Sequence, residues 1–173
     1  DRGTWLASNV VIATGHAQTP FVPPSGGSID RRIDQVVPTR YRGPGDLAPG
    51  AVLVVGASAT GLQIAEELAV AGRRTILSVG SHLRLPRRDR GMDILWWLDR
   101  MSLLDAGAGD VRGMDRARRQ PSWQLVGRPE GGDMDLRTAR RVGVELAGRF
   151  LGADGAVVRF ADDLVESTSV ADA

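Results

Sequence analysis

Apolar positions along the chain follow two periods, and the switches between them outline the elements. Asn9-Val-Val-Ile-Ala13 is a near-continuous apolar run ended by Thr14-Gly15, the pattern of a strand buried on both faces. Residues 18–50 then carry Pro20, Pro23, Pro24, Pro38, Pro44 and Pro49 among several glycines. That is connector composition, too broken by proline for a long helix or a central strand. Ala51–Val55 is a second short apolar run, and it leads straight into a glycine-bearing turn. From Thr60, Leu62, Ile64, Ala65, Leu68 and Ala69 recur on one helical face, and Gly72 supplies the stop. Thr75–Val79 makes a third strand and closes a strand–helix–strand unit of about 30 residues.

Further on, Gly91–Leu104 predicts a helix with Ile94, Leu95, Trp97, Leu98 and Met101 on its apolar side. The adjacent Trp96 and Trp97 read as helix packing with one ring partly exposed, rather than as a stacking platform. Residues 105–135 are irregular and rich in Gly, Asp and Arg. Val144–Leu151 alternates apolar and polar residues, Ala153-Asp154-Gly155 makes a turn and Val157–Phe160 returns, which predicts a hairpin. Ala161–Ala173 shows neither a cap nor a closing element, and Asp1 opens almost directly onto the first apolar run. Both ends read as cuts, so the chain is expected to be an internal piece of a longer protein.

Composition narrows the chemistry. With 173 residues, 42% hydrophobic and 25% charged, the chain suits a globular α/β fold. It has no Cys, which excludes disulfides, thiolate metal sites and a cysteine redox pair. All 22 basic residues are Arg, so neither Schiff-base chemistry nor a P-loop lysine is available. The net charge of +1 provides no global field toward nucleic acid or a membrane surface. No run reaches the roughly 18 apolar residues of a membrane span, and the expected compartment is the cytoplasm.

The strongest chemical signal is Gly56-Ala57-Ser58-Ala59-Thr60-Gly61, a G-x-S-x-x-G version of the dinucleotide fingerprint. The first glycine permits the tight strand-to-helix turn, and the last lets the helix pack closely on the sheet. Between them, backbone N–H groups at the helix N-terminus can face a pyrophosphate. Ser58 stands where a second glycine is usual; its side chain is small enough to allow approach and can donate a hydrogen bond. The motif follows a strand, opens a helix and meets the next strand on schedule, the context it requires. The competing reading is a glycine turn that serves packing alone.

Cofactor selectivity is read after the third strand. No Asp or Glu follows Val79 to hold a ribose 2′-hydroxyl; Ser81, His82, Arg84, Arg87 and Arg88 stand there instead. Guanidinium forks match a 2′-phosphate, which favours NADP, with Arg84 nearest the strand end as first choice. A solvated basic loop is the plain alternative. His82 either neighbours the adenosine or is an ordinary loop histidine. His16, the other histidine, has no ligand cluster around it in sequence.

Val11-Ile12-Ala13-Thr14-Gly15, the proline-rich connector and the fingerprint at Gly56 together resemble the middle of a two-dinucleotide flavoprotein. The likeness is to the flavin-containing monooxygenases and their bacterial NAD(P)/FAD-dependent relatives. Leu83–Arg88, Gly91–Trp97 and Arg159–Asp163 resemble the bacterial relatives in particular. The resemblance implies an α/β fold: a Rossmann-like NADP(H)-binding domain over residues 51–173, cut short at its C-terminus. It further implies the end of an FAD-binding domain over 1–24 and a connector over 25–50. Thr14 and Gly15 would then approach FAD by backbone. The implied chemistry is reduction of FAD by NADPH, followed by oxygen activation for a small-molecule substrate. The sequence departs from the family where a His is expected, at Val37, and earlier at Arg31 and Ile33, while Tyr41, Arg42 and Pro44 are kept. Two alternatives stay open: a flavoprotein reductase serving another acceptor, and an inactive dinucleotide-binding module. No catalytic acid, base or nucleophile stands out, and no metal site.

Overall fold

A computed structural model describes residues 3–11, 19–20, 22–105, 107–110, 113–115, 123–124, 127–128 and 132–171 of the chain. Its centre is the predicted strand–helix–strand unit: β1 (Val52–Val55), α1 (Ala59–Val70) and β2 (Thr75–Ser78). β1 and β2 run parallel, paired from Val52↔Thr75 to Val55↔Ser78. Parallel neighbours require a crossover, and α1 is that crossover. It buries Leu62, Ala65 and Leu68 completely. Each buried leucine contributes roughly 1.5–3 kcal/mol. The helix ends at Gly72, whose φ of +79° suits glycine, while the Arg73 amide donates to the Leu68 carbonyl.

Between β2 and the third strand of the sheet lies a long excursion. β3 (Leu83–Arg84) pairs in parallel with β6 (Trp123–Gln124), and β4 (Arg88–Asp89) pairs antiparallel with β5 (Met92–Asp93). Two short helices follow the same route, α2 (Ile94–Arg100) and α3 (Leu136–Arg141). The chain then re-enters the sheet as β7 (Glu145–Ala147), parallel to β2, giving the order β1-β2-β7. Ala57, Leu62, Ala65, Leu77, Val79, Leu136, Ala139 and Val144 form one core joining α1, β2 and α3. A hairpin of β8 (Phe150–Asp154) and β9 (Val157–Phe160), then α4 (Leu164–Ala171), complete the described fold. No described helix is long and apolar enough to cross a membrane.

Several expectations change. Residues 9–11 form no strand, and Val10 and Val11 are exposed; the rest of the expected strand 9–13 lies outside the described residues. An apolar run becomes a buried strand only where a sheet receives it, and the parallel sheet described here is made by β1, β2 and β7. The helix expected over 91–104 is cut to α2. Met92 and Asp93 are taken by β5, Asp93 caps the helix by accepting from the Leu95 amide, and Ser102 at φ +55° stops it. The alternating run 144–151 divides at Gly148 into β7 and β8. A Cβ on Gly148 would overlap the Ala161 carbonyl, so glycine is required where the chain leaves the sheet for the hairpin. The stretch 105–135 is not wholly irregular, since β6 lies within it, and the tail closes in α4 where none was expected.

Between residues 22 and 50 the described elements are two short 3-10 turns, Pro24–Ser28 and Pro44–Asp46. Side chains fix this segment. The Arg73 guanidinium donates to the carbonyls of Pro44, Leu47, Ala48 and Gly50. The Ser28 hydroxyl oxygen accepts from the Ala153 amide at 3.1 Å, tying the first turn to β8. Tyr41 donates to Glu67 on α1 at 3.0 Å.

Burial, and then the hydrogen bond to the Glu67 carboxylate, push the Tyr41 phenol up from 10.0 to about 12. The folded state therefore holds this proton more tightly than the unfolded chain. Its contribution to stability is complete below pH 10 and is lost as pH rises through about 12. Tyr41 is the only tyrosine, so tyrosinate absorbance reports it alone. The midpoint is expected well above that of free tyrosine, and Glu67→Gln should lower it. An unshifted midpoint would contradict the docking of Tyr41 on α1.

Candidate functional site

The glycine turn occupies the carboxyl end of β1. Gly56 has φ +106°, a conformation that favours glycine, and its N–H donates to the Ser78 carbonyl at 3.0 Å. Ser58 is the N-cap of α1 in extended geometry, and its side chain makes no capping bond. The hydroxyl is therefore not consumed by the helix it precedes. Ala57 is buried against the core, while Ser58 and Ala59 are partly exposed and Thr60 is exposed. The first-turn amides of α1 have no intrahelical acceptor, and the helix dipole adds partial positive charge at the same place. A Cβ on Gly61 would overlap the carbonyl oxygen of Gly56. Glycine at the last position is thus needed for helix and turn to touch.

Because β1, β2 and β7 are parallel, their carboxyl ends share one edge, where ligands of open α/β sheets bind. Ser78 joins that edge by donating from its hydroxyl to the Gly148 carbonyl at 2.9 Å. Ser81 is exposed just after β2, and its oxygen accepts from the Arg149 guanidinium at 2.9 Å. The Ser81 proton stays available to donate, and the neighbouring cation strengthens it as a donor. Arg149 follows β7 and is itself aligned by Asp163, which accepts from its backbone N–H at 2.9 Å. Sequence reading missed Arg149, because only the parallel pairing of β2 and β7 brings it to Ser81.

The predicted loop arginines are placed differently from one another. Arg84 forms an ion pair with Asp135 at 3.0 Å, and Asp135 also closes a capping box with Thr138 at the start of α3. Arg87 is bonded to Asp93 at 2.7 Å, and its backbone N–H donates to Asp133. The Leu95 amide first, and then the Arg87 guanidinium, hold the Asp93 carboxyl below its ordinary value. Arg88 is exposed. His82 is buried and its Nδ1 lies 3.0 Å from the Gly80 carbonyl. Trp96 and Trp97 meet edge to face, with Arg100 over the first ring and Arg90 over the second. Thr14, Gly15 and His16 lie outside the described residues. Among the described residues, no cluster of metal-ligating side chains occurs.

The Arg84–Asp135 pair gives Arg84 a structural task. Asp135 is 7% exposed, so Arg84→Ala would leave a largely buried carboxylate short of its cation. The expected loss is about 1.5–3 kcal/mol of stability. Thermal or urea unfolding checks it, and an unchanged midpoint would mean the pair contributes nothing.

The chain matches no protein-family model, and no solved structure matches it significantly. It is 41% identical over 106 residues to an uncharacterized CzcO-like oxidoreductase of Geobacillus kaustophilus, covering 61% of this chain and 30% of that protein. It is 34% identical over 114 residues to the uncharacterized oxidoreductase CzcO of Bacillus subtilis, covering 65% of this chain and 33% of that one. Over 85 residues it is 36% identical to the flavin-containing monooxygenase iboF of Amanita muscaria, covering 45% of this chain and 16% of the fungal protein. The chain spans about a third of the length of the bacterial relatives it matches. Its homologues are thus named CzcO-like oxidoreductases and a flavin-containing monooxygenase, in agreement with the resemblance carried by its motifs.

Proposed function

From this kinship with the CzcO-like oxidoreductases we infer that the chain is the NADP(H)-binding portion of an FAD-dependent, monooxygenase-like oxidoreductase. In this reading residues 51–173 are a Rossmann-like nucleotide unit, residues 1–24 complete an FAD domain, and residues 25–50 connect the two. The observation that carries it is the contact between Gly61 and the Gly56 carbonyl, which a Cβ would close. The other features of a pyrophosphate cradle accompany it: the positive φ at Gly56 and the unspent hydroxyl of Ser58.

The chain's own residues then divide the work of binding. Gly56, Ala57, Ser58, Ala59, Thr60 and Gly61 line the pyrophosphate, with the first-turn amides of α1 donating to it. Ser81, polarised by Arg149, together with exposed Arg88, reads the ribose 2′-phosphate at the end of β2. Arg84 and Arg87, held by Asp135 and Asp93, support the loop that presents them. Thr14 and Gly15 are assigned to the flavin side by resemblance. Bound FAD would supply the redox chemistry, taking electrons from NADPH and passing them to oxygen.

Oxygen uptake by the full-length, FAD-loaded protein tests this reading. Uptake that depends on NADPH is the expected result. Turnover only with an added electron acceptor would favour the reductase reading, and no NADPH oxidation under either condition would sink both.

A further inference from the structure

In the excursion between β2 and α3, the strands β4 and β5 and the helix α2 form a small lobe that contributes nothing to the core joining α1, β2 and α3. Several of its polar groups are turned on one another. The Trp97 indole N–H donates to the Asp89 carbonyl at 3.0 Å, Asp93 caps α2, and Arg87 is bonded to Asp93. Arg100 and Arg90 lie over the rings of Trp96 and Trp97. α2 buries Leu98, with Ile94 and Trp97 half-buried on the same side at helical spacing.

The surface that remains is apolar. Met92, Leu95, Trp96, Met101, Leu103 and Leu104 are 39–56% exposed. A lone apolar side chain in water is ordinary, but a group of large ones within residues 92–104 marks a surface that something covers. The lobe is also poorly equipped to stand unaided. α2 has seven residues, fewer than the ~12–15 that an isolated helix needs in water, and β4 with β5 is a two-stranded pair, marginal by itself.

Charge and tethering decide between the occupants that fit such a face. Exposed Arg88, Arg90 and Arg100 are matched by exposed Asp89, Asp99 and Asp105, so no net charge draws the lobe to anionic lipid. A second copy would cover the face only at concentrations that sustain a dimer, whereas the lobe needs cover whenever it is folded. A segment of the same polypeptide meets that need, because a tether holds it at an effective concentration of about millimolar. The chain spans about a third of the length of its bacterial relatives, so a polypeptide of their length has the remaining surface to supply.

We propose that the exposed apolar surface of α2 and its flanks is a docking surface for an apolar face of the same polypeptide outside residues 1–173. The glycine turn takes no part, so the proposal does not depend on the dinucleotide assignment.

Two measurements on the full-length protein test it. Oxidation by hydrogen peroxide, read by peptide mass spectrometry, reports whether Met101 is covered. Its sulfoxide is expected to form at least about tenfold more slowly than in the urea-unfolded protein, since oxidation follows exposure. Photo-crosslinking identifies the cover. With p-benzoylphenylalanine in place of Leu95, or separately of Leu104, irradiation should join the lobe to a peptide outside residues 1–173. The product should have the mass of a single polypeptide, and its yield should not fall on dilution. Oxidation of Met101 as fast as in the unfolded protein would overturn the proposal. So would crosslinks that join two copies, reach added lipid vesicles or stay within residues 1–173, and so would none from either position.

Discussion

Gly61→Leu is expected to abolish binding of the pyrophosphate moiety and to destabilise the fold. The clash falls on the backbone carbonyl of Gly56, which cannot rotate away as a side-chain tip could. Even the Cβ of alanine would meet it, so α1 must shift off the turn. Overpacking of this kind costs typically 1–3 kcal/mol, and the displaced amides would no longer converge on the phosphates. Ser58→Gly should be far milder. Its side chain does not cap α1, and glycine at an N-cap costs only a few tenths of a kcal/mol. Nucleotide titration with unfolding curves on both variants separates the effects. If Ser58→Gly abolished binding while Gly61→Leu kept it, the turn would be misplaced.

Arg128→Ala should bring a large loss of stability from a single polar contact. Glu66 sits on the buried side of α1, its side chain 9% exposed, and both carboxylate oxygens meet Arg128, the nearer at 2.6 Å. Removing the cation strands a buried negative charge. Such losses run to about 3–5 kcal/mol when both partners are buried. Arg128 is 31% exposed, so water reaches it and the lower end of that range applies. Replacing both partners together, as Glu66→Met with Arg128→Leu, should recover most of the loss. Chemical denaturation of the single and double variants measures it, and equal destabilisation by both would show that packing, not charge, is at stake.

How far the sequence spoke depended on the distance over which each signal acts. The turn at Gly56–Gly61 was legible because a strand end, a positive φ and a helix start are local events. So were the stop at Gly72 and the return of the chain through Gly155. The split of 144–151 was hidden, since the choice of Glu145–Ala147 to join β2 follows from a parallel pairing across some 70 positions, with Gly148 forced by the Ala161 carbonyl. Arg149 was missed for the same reason. Arg84 lies nearest the strand end in sequence, and nothing local announces its ion pair with Asp135 51 positions on. The glycine turn and the basic loop were therefore readable one residue at a time, whereas the partners that decide which arginines remain available were not.

We propose that the carboxyl edge of β1, β2 and β7 binds NADP(H) through the glycine turn and distinguishes it by its 2′-phosphate. Titration of NADPH and NADH against the wild-type protein and against Arg149→Ala tests this most directly. One NADPH site is expected, with NADPH bound about tenfold or more tightly than NADH, and a selective loss of that margin in Arg149→Ala, which removes the cation that strengthens Ser81 as a donor to the phosphate. Binding of neither nucleotide, or a wild type that prefers NADH, would contradict it.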